Sequence, residues 1–89
     1  MIRKITLNFY SDPGHGWVKT PRTLLKQLGI ASQISPYSYQ RGDSVYVEED
    51  SDLYRLINAM KQAGVQYQFR DFVSNRPSKI RGYAGYQAA

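Results

Sequence analysis

The chain contains no cysteine. That absence removes disulfides, thiol nucleophiles, iron–sulfur clusters and zinc sites of the usual Cys/His kind together. Histidine is nearly as scarce: His15 is the only one, so catalysis and metal binding have few groups to draw on. No apolar run approaches the length of a transmembrane helix, and Met1-Ile2-Arg3-Lys4 leads into an alternating pattern rather than a long apolar signal core. The expectation is a soluble, cytoplasmic protein. Eighty-nine residues leave room for one core, burying roughly 60 to 65% of the unfolded surface. Without staples, that core must hold by packing alone.

What is present suits a packed domain. The chain is 42% apolar and 13% aromatic, too rich for a disordered segment. Twelve Lys and Arg stand against seven Asp and Glu, giving +5. Such a balance favours polyanionic partners and argues against mimicry of nucleic acid by the protein itself.

Ile5-Thr6-Leu7-Asn8-Phe9-Tyr10 alternates apolar and polar residues, the period of a strand with one face buried. Ser11-Asp12-Pro13-Gly14-His15-Gly16 then reads as a tight exposed loop, with Gly14 supplying the positive φ of a type II turn. Thr20-Pro21 reads as a capped helix start, Leu24, Leu25 and Leu28 as its apolar stripe, and Gly29 as its stop. Around Arg41-Gly42-Asp43 a hairpin is expected, its first strand weakened by Pro36 and its second carried by Val45-Tyr46-Val47. A second helix follows, capped by Asp50 or Ser51, with Leu53, Leu56, Ile57 and Met60 on one face and Gly64 at its end. Val65, Tyr67 and Phe69 give the last strand.

Strand, helix, strand, strand, helix, strand predicts an α+β, two-layer ferredoxin-like βαββαβ sandwich. Its four-stranded antiparallel sheet would carry helices 21–28 and 51–63 on one face and leave the other face open. Residues 1–73 form that domain. Residues 74–89, with three basic residues and no acid, read as a flexible or partner-ordered tail.

Three strings carry a resemblance: Ser11-Asp12-Pro13-Gly14-His15-Gly16-Trp17, Ile34-Ser35-Pro36-Tyr37-Ser38-Tyr39-Gln40-Arg41-Gly42-Asp43 and Lys79-Ile80-Arg81-Gly82-Tyr83. Together they resemble a group of small uncharacterised bacteriophage and plasmid proteins. The resemblance implies an origin on a mobile element and, by analogy only, a role in binding host machinery, including defence complexes.

Several residues invite a functional reading, each with a plainer one beside it. His15, near Ser11 and Asp12, suggests an acid/base site, but a glycine-flanked loop supplies mobility where catalysis needs rigidity. A turn or a partner contact suits it better, so no catalytic residue is assigned. The loop's two glycines match no phosphate-binding fingerprint. Glu48-Glu49-Asp50-Ser51-Asp52 lacks the spacing of a calcium loop and reads as a helix start, so neither a metal nor a cofactor is expected.

Eight tyrosines are the stronger signal. Tyrosine gives rigid contact area with a polar tip and is enriched at interfaces. With Ile5, Leu7 and Phe9 facing the helices, Tyr10 points to the open face, as does Tyr46 if Val45 and Val47 are buried. Tyr37, Tyr39 and Arg41 on the hairpin, with Arg76, Lys79 and Arg81 in the tail, add a combination suited to phosphate contact and stacking. Trp17 and His15 complete the candidate contact set.

The leading expectation is a non-enzymatic binding protein docking on a host protein or nucleoprotein complex, without membrane contact. Direct binding of single-stranded nucleic acid by the same surface is the alternative, and an enzyme using His15 the third. A homodimer through the tyrosine face also fits this surface.

Overall fold

The computed structural model describes residues 3–88. Met1 and Ile2, read above as the lead into the first strand, and Ala89, the end of the tail, lie outside the described residues, as does the Arg3 side chain. Strand β1 (Arg3–Ser11) turns directly into β2 (Gly16–Pro21), followed by helix α1 (Arg22–Gln27). A hairpin of β3 (Tyr39–Arg41) and β4 (Ser44–Glu48) leads to helix α2 (Leu53–Gln62), β5 (Val65–Val73) and a two-residue strand β6 (Ala84–Gly85). No helix among the described residues is long and apolar enough to cross a membrane.

All six strands join one mixed sheet in the order β5-β1-β2-β4-β3-β6. This overturns the four-stranded antiparallel ferredoxin-like sheet expected from sequence. The expected fold needs a helical crossover straight after β1. Instead β1 folds back antiparallel on β2, and the parallel partner of β1 arrives only with β5, paired from Arg3↔Val65 to Ser11↔Val73.

The unforeseen strand has a clear cause in its side chains. Val18 and Thr20 are fully buried on one face, Trp17 and Lys19 point to the other, and β-branched and aromatic residues suit a pleated, half-buried surface. The Asp12 carboxylate makes the turn before β2, its Oδ1 accepting from the amides of Gly14 and His15. Neither glycine of this loop has a positive φ, so the type II turn expected at Gly14 does not form. Space explains them instead: a Cβ at Gly14 would stand 2.9 Å from Arg81 Nη2, and one at Gly16 only 2.6 Å from the Phe9 ring.

Both helices pack on one face of the sheet. Leu25 from α1 and Leu53, Leu56 and Met60 from α2 bury against Leu7, Val18, Val45 and Val47. Gly29 and Gly64, at φ +74° and +72°, end the two helices as the sequence suggested. The expected caps do not form. Thr20 Oγ1 donates back to the Val18 carbonyl, and the residue at the start of α2 is Asp52, whose carboxylate accepts from Ser35 and Ser38 and makes no capping bond to the helix amides.

Residues 74–88 also depart from expectation, because they lie along the sheet rather than trailing from it. Tyr86 is buried in the helix-side core, its hydroxyl donating to the Ala31 carbonyl, and β6 pairs with β3. On the opposite face a 3-10 turn, Lys79–Gly82, presses Ile80 onto Trp17 and Tyr46. Asp12 ties this segment down. Its buried Oδ2 accepts from the Ser78 amide and from Arg81 Nε at 2.7 Å, while Oδ1 accepts from Arg81 Nη2 at 2.8 Å. The guanidinium, then the amides of Ser78, Gly14 and His15, hold this carboxyl far below the usual carboxylate range against the opposing effect of burial.

Two outcomes are expected. Gly16→Ala should destabilise the fold by about 1 to 3 kcal/mol in urea titration through the clash with Phe9, whereas Gly82→Ala, with open space around it, should stay near wild type. Asp12→Asn should loosen the Lys79–Gly82 turn and red-shift the emission of Trp17, the only tryptophan, while leaving the far-ultraviolet spectrum nearly unchanged. Because the folded-state pKa of Asp12 is depressed, its contribution is complete above its ordinary value of 3.8 and declines as pH falls below it. Wild-type protein should thus lose stability gradually below about pH 4, as the unfolded chain takes up the proton first, while the emission stays unshifted until the pH falls far below the usual carboxylate range. Unchanged emission in the variant would show that other contacts hold the turn.

Candidate functional site

Strand register arranges the face opposite the helices in rows. One row runs Arg70, Asn8, Lys19, Tyr46, Tyr39; the next runs Phe72, Tyr10, Trp17, Glu48. The 3-10 turn lies across both rows and divides the face into two clefts of opposite character.

On one side Tyr10, Lys19, Arg41, Tyr46, Lys79 and Tyr83 surround a cleft of about 290 Å3, with no acidic residue in its lining. Its floor is aromatic. Tyr46 lies between Tyr10 and Tyr83, with ring centroids 6.4 Å and 5.1 Å away, and Tyr10 stacks on Phe72 at 5.2 Å. Burial, with Tyr83 and Tyr10 adding to it, pushes the Tyr46 hydroxyl above its ordinary pKa, so it stays a neutral hydrogen-bonding group at physiological pH. Arg41 lies over the Tyr83 ring and donates to its hydroxyl at 3.2 Å. Lys19 and Lys79 make no ion pair among the described residues, leaving two ammonium groups available to an anion.

On the other side a cleft of about 230 Å3 is lined by His15, Trp17, Tyr37, Tyr39, Glu48, Asp50 and Arg81. Glu48 is almost wholly buried, and the amide and hydroxyl of Ser51 both donate to its Oε2 at 2.8 Å. The Glu48 amide donates to Ser38 Oγ, which in turn donates to the buried Asp52 carboxylate. Ser35 donates to Asp52 as well, through its amide and its hydroxyl. The acidic run read as a helix cap is therefore a hydrogen-bonded corner that fixes the end of β4 and the start of α2.

The sequence-selected residues divide accordingly. Tyr10, Tyr46, Arg41 and Lys79 meet in the basic cleft; His15, Trp17, Tyr37, Tyr39 and Arg81 meet in the acidic one. Arg76 lines neither. Trp17, 1% exposed under the Arg81 guanidinium, and Tyr46, 8% exposed, are cleft floor rather than free contact surface. Arg81 is committed to Asp12 and is not a free phosphate ligand.

Sequence reasoning missed Lys19 and Arg70. The alternation Trp17-Val18-Lys19-Thr20 carried the signal for Lys19, and extending β5 beyond Phe69 would have brought Arg70 and Phe72 onto the same face. No protein-family model, curated protein or solved structure matches this chain, so its functional reading rests on the geometry of these two clefts.

Proposed function

We propose that this protein is a non-enzymatic binding module that takes single-stranded nucleic acid on the basic half of the face opposite its helices. One observation carries the reading: Lys19, Arg41 and Lys79 converge on a tyrosine-floored cleft whose lining has no acid. Cationic groups that follow a phosphate backbone beside aromatic rings that stack bases are the two parts of sequence-tolerant single-strand binding. Arg70, in the same row as Lys19, extends the basic track toward β5. This reverses the order of the two binding roles inferred from sequence: the turn buries Trp17 and Tyr46, which an open tyrosine docking face would need, and although Arg81 is lost to Asp12, Lys19 joins Arg41 and Lys79 as a cation free of acidic neighbours.

Docking on a host protein or nucleoprotein complex is the second reading. Phe72 and Val73, 43% and 79% exposed at the end of the edge strand β5 and adjacent to Tyr10, favour it. Packed anchors of that kind depend little on salt.

Fluorescence anisotropy with labelled oligonucleotides separates the two. For three phosphate contacts the affinity for a single strand should fall with salt at a log–log slope of about −2. Replacing Lys19, Arg41 and Lys79 together by Ala should abolish most of it, and Tyr10→Ala should cost about 1 to 3 kcal/mol if it stacks one base. Salt-insensitive binding, or a triple variant that binds like wild type, would sink the nucleic-acid reading.

A further inference from the structure

From the acidic cleft we infer a binding site for one divalent transition-metal ion, built from His15, Glu48 and Asp50. The ligating atoms of these three side chains all lie within 4.8 Å of one another. His15 Nδ1 stands 3.3 Å from Glu48 Oε1 and 3.9 Å from Asp50 Oδ2. Nitrogen and oxygen ligands at zinc bond lengths sit about 3.4 Å apart across a tetrahedral ion, so the first pair already spans one edge and the second needs only a small closure. Asp50, with a side chain 74% exposed, is free to make it.

Glu48 gives the independent reason to expect a cation. Its side chain is nine-tenths buried, yet Oε1 has no hydrogen-bond partner. A buried carboxylate oxygen without a donor is costly, and its partner atom Oε2 is already saturated by Ser51. The remaining oxygen is aimed at the imidazole, where a shared metal ion would satisfy it. The backbone prepares the site: the Glu49 amide donates to the Gly16 carbonyl at 2.9 Å, Trp17 pairs with Glu48, and Asp12 holds the His15 amide. These backbone bonds fix the two segments that carry the ligands, and the bonds from Ser51 to Glu48 Oε2 orient its carboxylate in the manner of an outer sphere.

One imidazole with two carboxylates suits zinc, manganese or iron(II) better than calcium or magnesium, which take oxygen donors. Three protein ligands would leave a coordination position for solvent or a small ligand, and the cleft that holds them is also lined by Tyr37, Tyr39 and Arg81. A bound ion would also fasten the β1–β2 turn to the β4–α2 corner, two segments far apart in sequence.

The probe is Zn2+ added to tag-free protein, followed by calorimetry and by the NMR signals of the single imidazole. Saturable 1:1 binding is expected, with a shift of the His15 ring resonances, a higher unfolding temperature and no displacement by millimolar Mg2+ or Ca2+. His15→Ala and Asp50→Asn change exposed side chains outside the core and should each weaken binding by at least about tenfold, a loss typical of even an outer-sphere partner. The oligonucleotide affinity, which depends on the other cleft, should be unchanged in both. Absence of saturable binding, a ring signal unmoved at saturation, equal displacement by Mg2+, or variants that bind like wild type would each overturn the assignment.

Discussion

Much of this molecule hangs on the carboxylate of Asp12. Five hydrogen bonds converge on it, two from the loop that reverses the chain between β1 and β2 and three from Ser78 and Arg81. A buried charge is tolerated only when its lone pairs are met and an opposite charge is close, and here the bidentate guanidinium supplies both. The same group therefore shapes a hairpin at one end of the sequence and fastens a turn at the other. Without it, the Lys79–Gly82 turn would keep the packing of Ile80 and Tyr83 but lose the ion pair and the Ser78 bond that fix it to the β1–β2 loop.

That fastening decides what the sheet presents to solvent. Left bare, the face would be a continuous aromatic surface of Tyr10, Trp17, Tyr39 and Tyr46. With the turn across it, Trp17 and Tyr46 become internal, and two clefts remain with opposite charge. Lys19, Arg41 and Lys79 collect on one side; Glu48 and Asp50 collect on the other beside His15. A net charge of +5 conceals this polarity, which separates the anion-seeking and the cation-seeking parts of one small surface.

Local patterns were legible in the sequence where they depend on neighbours along the chain. The alternation of β1, the stripe and glycine stop of α2, the Gly42 turn and the inward direction of Val45 and Val47 follow from periods and turn chemistry. Topology was not legible, because the βαββαβ order absorbed Trp17–Thr20 into a helix approach although its four residues alternate as cleanly as β4 does. Nothing near Asp12 in sequence announces Arg81, 69 residues away, so a structural ion pair was taken for a free basic residue and its segment for a loose tail. The acidic run after β4 misled for a related reason: its partners, Ser35 and Ser38, sit on a segment with no periodicity. Of the candidate site, most of the aromatic residues and Arg41 and Lys79 were recovered, whereas Lys19, Arg70, the place of Glu48 and Asp50, and the division into two clefts were not.

The parallel pairing of β1 with β5 bears on how the chain reaches this state. β1 precedes both of its partners along the chain, and one of its edges meets β2 within a few residues. The other waits for a strand that begins some sixty positions later, after both hairpins and α2 have been made. Closing such a long loop costs entropy before any ladder bond repays it, which places β5 late in folding. During that interval the inner strand of the finished sheet is an edge strand, with Ile5, Leu7 and Phe9 only partly covered. The nascent protein therefore passes through a stage in which a strand that ends inside the sheet still offers an open edge, and chaperone contact or mispairing with another copy would concentrate there.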